Sequence, residues 1–79
     1  MAVLRLFAAA REAAGASSVE IAAPTVGAVL DEAASRFGTG FADVLVSAKV
    51  WLDGEPADAN DAVDDRSEVA VLPPVSGGA

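Results

Sequence analysis

Pro24-Thr25-Val26-Gly27-Ala28-Val29-Leu30-Asp31-Glu32-Ala33-Ala34-Ser35-Arg36-Phe37 is the stretch on which the fold turns. Pro24 breaks whatever precedes it, and Thr25 is a favourable helix N-cap. Val26, Val29, Leu30, Ala33, Ala34 and Phe37 recur at i, i+3, i+4, i+7, i+8 and i+11, which is one apolar stripe of a 3.6-residue helix. Asp31, Glu32, Ser35 and Arg36 lie mostly outside that stripe. Gly38 and Gly40 then read as its end. A helix that is apolar on one side only must be covered there, so its surroundings decide the architecture.

Upstream, Ala2 to Ala8 reads as a strand, with Leu4, Leu6 and Ala8 on one face and Val3, Arg5 and Phe7 on the other. Arg5 is unfavourable to bury unpaired, so the Leu4/Leu6 face points to the core. Ala9 to Gly15 suits a single helical turn closed by glycine. Ser17 to Ala23 is a second strand, Val19 and Ile21 inward, and its short connection makes it antiparallel to the first.

Downstream, Phe41 to Leu45 is a short helical turn or a packed loop that keeps Phe41 and Leu45 in the core. Ala48 to Asp53 is a third strand with Val50 and Leu52 inward and Lys49 and Trp51 outward. Asp53-Gly54-Glu55-Pro56 signals a turn, and residues 57–67 form an acidic loop with at most one turn of helix. Glu68 to Leu72 is the last strand, Val69 and Val71 inward, Ala70 and Leu72 outward.

A hairpin, one amphipathic helix and two further strands fit an α+β, ubiquitin-like β-grasp, with a mixed four- to five-stranded sheet packed on one main helix. In that arrangement the first and last strands are parallel neighbours at the sheet centre. Phe7 and Leu72 then lie side by side, facing away from the helix, with Trp51 near them. They form an exposed apolar patch of the kind that marks partner surfaces. The expected division is a domain over residues 1–72 and an extended tail over residues 73–79.

Bulk properties narrow the function. The 79 residues make one small domain, and its 12 acidic against 5 basic residues give a net charge of −7. That charge argues against nucleic acid, whose phosphates call for Lys and Arg, and favours partners with basic surfaces. No run of apolar residues is long enough for a membrane span, and no signal peptide is evident. With 0 Cys and 0 His the usual nucleophile–base pairs and most zinc sites are excluded, and a cytoplasmic location is the simplest. Asp64 and Asp65 sit in an Asp/Asn-rich stretch that suits solvated turns better than an acid–base pair. A free-standing enzyme is not expected, and the most unusual reactive group is the C-terminal carboxylate.

The tail, Leu72-Pro73-Pro74-Val75-Ser76-Gly77-Gly78-Ala79, fits that expectation. Pro73 and Pro74 cannot continue a central ladder and hold the chain extended, while Gly77 and Gly78 carry no Cβ. Extended, Pro73 to Gly78 reaches roughly 20 Å at about 3.3–3.6 Å per residue, enough to enter a partner's pocket.

Two stretches together resemble a known family. Leu6-Phe7-Ala8-Ala9-Ala10-Arg11-Glu12-Ala13-Ala14-Gly15 is similar to the LFxxxRExxG pattern of the small sulfur-carrier subunits of molybdopterin synthase. Val71 to Gly78 is similar to their PPVxGG ending, whereas thiamine-type carriers share the Gly-Gly but lack the proline pair. The resemblance implies that a ubiquitin-activating-type enzyme, using ATP and magnesium, adenylates the terminal glycine. Sulfur then gives a thiocarboxylate, which donates to the molybdopterin dithiolene inside the large synthase subunit, in a heterotetramer. It further implies that this chain binds no cofactor or metal of its own.

By the same resemblance Gly78 bears the sulfur and Gly77 is its narrow neighbour. Phe7, Leu72, Pro73, Pro74, Val75 and Ser76 contact partners, with Leu72 standing where an aromatic is common. Arg11 and Glu12 match the pattern as a local ion pair or turn support. The family ends at the second glycine and this chain continues to Ala79. Either a protease removes Ala79, or the residue is not native or marks a related carrier with a processing step. Sulfur on Ala79 itself would require room for a methyl group. Carriers for cysteine, thiamine or tRNA thiolation, and a ubiquitin-like modifier or binding module, are the alternatives.

Overall fold

The computed structural model describes residues 1–74; the readings for Val75, Ser76, Gly77, Gly78 and Ala79 fall outside them. Strand β1 (Ala2–Leu6) pairs antiparallel with β2 (Ser18–Ile21), Ala2 opposite Ile21 and Arg5 opposite Ser18. Helix α1 (Ala8–Ala14) lies between them and ends on Gly15 at φ 72. The helix is longer than the single turn expected, and it takes Ala8 out of the strand. Ala8 turns the chain at φ 51, so the β alternation stops at Phe7.

Helix α2 (Val26–Phe37) has the expected bounds, and its Thr25 hydroxyl accepts from the Ala28 N–H at 3.1 Å. Its other early donors are satisfied by the acidic loop: Val26 N–H reaches the Asp61 carbonyl and Gly27 N–H the Ala59 carbonyl, both at 2.9 Å. A Cβ at Gly27 would stand 3.1 Å from that Ala59 oxygen, so glycine lets the loop lie this close.

Gly38 ends α2, but Gly40 does not stop the chain from turning again: α3 (Thr39–Ser47) follows at once. Gly38 serves as C-cap of one helix and N-cap of the next, at φ 92 and ψ −171. Phe37 and Phe41 stack across this joint with ring centroids 5.2 Å apart, and Phe41 is fully buried. Among the described residues three helices therefore cover the sheet, α2 being the longest.

The remaining strands are β3 (Lys49–Leu52), the two-residue β4 (Glu55–Pro56) and β5 (Glu68–Leu72). Asp53 and Gly54, at φ 50 and 87, form the two-residue hairpin turn that Asp-Gly favours. The sheet order is β2-β1-β5-β3-β4, with β1 and β5 parallel and the other pairs antiparallel, a ubiquitin-like β-grasp. Leu4, Leu6, Ile21, Val69 and Val71 from the inner face meet Val26, Val29, Ala33 and Phe41 in the core. Leu30, Phe37, Leu45, Val50 and Leu52 pack around it.

The acidic loop is held by its own side chains. Asp64 accepts from the Arg66 N–H at 2.8 Å and the Ser67 hydroxyl at 3.2 Å, as turn residues do. Asp65 lies 2.8 Å from the Met1 ammonium, whose hydrogen bond and charge hold its carboxyl below the usual range. Neither carboxylate approaches the other's role in an acid–base pair.

Candidate functional site: the exit of the central strand

The site begins with strand parity. Residues opposite one another in a ladder share a face. Leu72 is opposite Lys49, and Ala70 is opposite both Arg5 and Trp51, so these side chains stand on the sheet face away from the helices. Phe7 follows Leu6, the partner of Val71, on extended backbone at φ −128 and ψ 152, so by alternation it takes the outer face on which Leu72 also stands. Phe7 is 42% exposed and Leu72 38%, which makes them two of only four large exposed hydrophobics among the described residues.

This outer face has two ends of different character. Toward the start of β1 and β5, Arg5 pairs with Glu68 at 3.3 Å and Glu20 stands opposite Val3. Toward their C-terminal ends the face is apolar except for Lys49: Ala70, Leu72, Trp51 and, opposite Trp51, Pro56, with Phe7 just past the end of β1. Pro73 and Pro74 continue from β5 at that end.

Of the expected neighbours, Trp51 and Leu72 line one cleft and Phe7 does not. A cleft of ≈ 470 Å³ is lined by Ser47, Lys49, Trp51, Leu72, Pro73 and Pro74. A shallower depression of ≈ 420 Å³ lies on the other side of β3, and Lys49 and Trp51 line it too. Among the described residues Lys49 makes no ion pair, unlike Arg5 and Arg36. Gly77, Gly78, Val75 and Ser76 follow in the sequence but lie outside the described residues.

Sequence reading placed Trp51 close to Leu72 but gave no part to Lys49 or Ser47. Lys49 could have been found from its outward position in Ala48–Asp53. Ser47 could not, because it reaches the cleft only through the end of α3. Arg11 closes α1, where its carbonyl accepts from the Gly15 N–H at 2.9 Å. Neither Arg11 nor Glu12 makes an ion pair among the described residues, so the local pair expected for them is not formed.

Chemically this end of the sheet offers an apolar surface, one cation at Lys49, the Ser47 hydroxyl and a chain that passes from the middle of the sheet into Pro73 and Pro74. No helix among the described residues is long and apolar enough to cross a membrane.

Comparison with known proteins agrees with this geometry. The model of the ThiS family matches residues 4–78. The crystal structure of SAMP1 from Haloferax volcanii is 30% identical, covers 98% of each chain and superposes with a TM-score of 0.87. The Haloferax volcanii HVO 2177 protein is 32% identical over 98% of this chain and 85% of its own, at a TM-score of 0.75. A chain from the Helicobacter pylori complex of subunits 1 and 2 of molybdopterin-converting factor shares the fold at 22% identity, covering 98% and 97%, with a TM-score of 0.69. No curated protein matches by sequence.

Proposed function

The chain belongs to the ThiS family, and from that premise we propose that it is the sulfur-carrier small subunit of a molybdopterin synthase. The observation that carries the proposal is the exit geometry. β5 is bonded to β1 on one side and β3 on the other, and it hands the chain to Pro73-Pro74 beside an exposed apolar face. A tail so placed enters a partner's active centre while the surface at its root is gripped.

In this proposal Ala79 is first removed by a protease, leaving the Gly78 carboxylate. A carboxylate is a poor electrophile, so one of its oxygens attacks the α-phosphorus of ATP on a magnesium-dependent activating enzyme and pyrophosphate leaves. Hydrosulfide then attacks the acyl carbon and AMP leaves, giving the thiocarboxylate. Gly77 and Gly78, without Cβ atoms, let both enzymes close around the end. ATP and magnesium belong to the activating partner, and the sulfur passes to the molybdopterin dithiolene inside the large synthase subunit.

The choice of molybdopterin over other sulfur pathways is supported by the Pro73-Pro74-Val75 and Gly77-Gly78 pattern together with Arg11-Glu12. The Helicobacter pylori neighbour is described as part of a two-subunit molybdopterin-converting factor, and at 22% identity it supports the fold only. A second reading, a ubiquitin-like modifier joined to lysines, is supported by the 30% identity to SAMP1, described for another of its structures as a small archaeal modifier protein.

The test is incubation of the full chain, trimmed and untrimmed, with ATP, magnesium, a sulfide source, and the activating enzyme and soluble extract of its own host, read by mass spectrometry. Loss of one alanyl residue and exchange of one oxygen for sulfur, followed by molybdopterin formation with the large subunit, is expected. A thiocarboxylate that yields no molybdopterin would leave the carrier role and reject this pathway. Function retained after deletion of Gly77 to Ala79 would reject both.

A further inference from the structure

We propose that the cleft between Trp51 and the Leu72-Pro73-Pro74 exit is the anchor pocket for the receiving protein, and that Lys49 on its rim selects the partner. The occupant is an apolar side chain of that protein with a carboxylate beside it. This rests on the carrier reading above and adds to it the residues that choose among partners.

The first ground is composition. At ≈ 470 Å³ the cleft falls within the about 300–1,000 Å³ of binding pockets, and its walls are an indole, a leucine and two prolines. The two prolines are stiff and the indole has only two side-chain torsions, so ordering these three on binding costs little, and tryptophan is prominent among residues that dominate interfaces. The second ground is continuity. Leu72 and Pro73 belong both to the cleft and to the surface from which the tail departs. Whatever grips the tail's root also covers the cleft.

The third ground is charge. The chain carries −7 in total, yet the side chain at the cleft's rim is a lysine with no ion pair among the described residues. A partner met only through long-range attraction would be basic and would be repelled locally by Lys49. A partner carrying a carboxylate at that point gains a local contact that a merely basic surface lacks, and so is discriminated. A second copy of this chain is disfavoured as occupant, because two bodies of −7 repel.

The experiment uses the full chain with its one tryptophan replaced by 5-fluorotryptophan, so that a single fluorine resonance reports on the cleft. The probe is the large molybdopterin synthase subunit of the same host. Binding is expected to shift the resonance. Trp51→Ala and Lys49→Glu are each expected to weaken binding at least tenfold with an unchanged circular dichroism spectrum. Arg66→Gln, which removes a cation from the acidic loop, should bind within twofold of the original, and Lys49→Gln should weaken the salt dependence.

Both cleft variants binding within twofold, or a resonance that does not move in the complex, would overturn the proposal. If the unaltered chain ignores the large subunit, the pathway reading fails separately. The same variants are then measured against the activating enzyme, where unchanged binding, or none, overturns the cleft as well. A resonance that shifts on truncation after Pro74, or with concentration, in the free protein would assign the cleft to the chain's own tail or a second copy and likewise reject it.

Discussion

Gly38 and Gly40 stand two residues apart, and alanine at the two positions should move stability in opposite directions. Gly38 joins α2 to α3 at φ 92 and ψ −171, a region that is essentially closed to residues with a Cβ. A Cβ built there meets nothing within 4 Å, so the cost of Gly38→Ala is backbone strain alone, about 1–3 kcal/mol. Gly40 lies inside α3 without a positive φ and also faces open space. Gly40→Ala removes backbone freedom from the unfolded chain and should stabilise by about 0.4–1 kcal/mol. With a urea m-value near about 1 kcal/mol/M for so small a domain, the midpoint falls by about 1–3 M in the first variant and rises by about 0.4–1 M in the second. Urea titration followed by circular dichroism measures both. The reasoning fails if Gly38→Ala leaves the midpoint unchanged, or if the two variants shift it the same way.

Other consequences are more local. Burying the exposed remainders of Phe7 and Leu72, at 42% and 38%, should contribute roughly 0.6–1.2 kcal/mol each, from about 1.5–3 kcal/mol for a whole side chain. Phe7→Ser with Leu72→Ser should therefore weaken assembly with the large subunit roughly 10–50-fold by calorimetry, while leaving ATP-dependent adenylation measurable. Thr25→Ala removes the 3.1 Å cap of α2 and should lower stability by about 1 kcal/mol in the same urea assay. The depressed pKa of Asp65 means that its contribution is present above the unfolded carboxylate value and is lost as pH falls through the folded one. Asp65→Asn should thus flatten the acid side of a plot of urea midpoint against pH, and an unchanged slope would contradict the Met1 pairing.

The parts of this fold that sequence reveals are those with a sustained period. The stripe from Val26 to Phe37 and the alternation from Glu68 to Leu72 give α2 and β5 with their observed bounds, because in both the buried residues recur at a fixed spacing within one unbroken segment. Helix α3 is hidden by its second residue, Gly40, which reads as a stop; only Gly38, at positive φ, is the break. Strand β4 has two residues, one of them proline, and no pattern can announce it. The apolar surface follows from parity once β1 and β5 are neighbours. The cleft does not, since Ser47 comes from a helix end, Lys49 and Trp51 from one strand, Leu72 from another, and Pro73 and Pro74 from the segment after it.

The position of β5 also explains how the domain withstands use of its tail. A partner that binds residues beyond Pro74 pulls on Leu72, and the resistance depends on what must break first. An edge strand would peel along one ladder. β5 instead has Leu6 opposite Val71 on one side and Val50 opposite it on the other, and Val69 and Val71 are fully buried against the helices. Its first residue is held as well, by the Glu68 N–H to Asp53 Oδ1 bond at 2.8 Å and the Asp53 N–H to Glu68 carbonyl bond at 2.9 Å. Extraction would have to break two ladders and open the core together, which is close to global unfolding. Pro73 and Pro74 lack N–H groups and so add nothing to either ladder. The boundary between the part of the chain that the sheet holds and the part that it does not is therefore sharp, and it falls beside the exposed apolar surface.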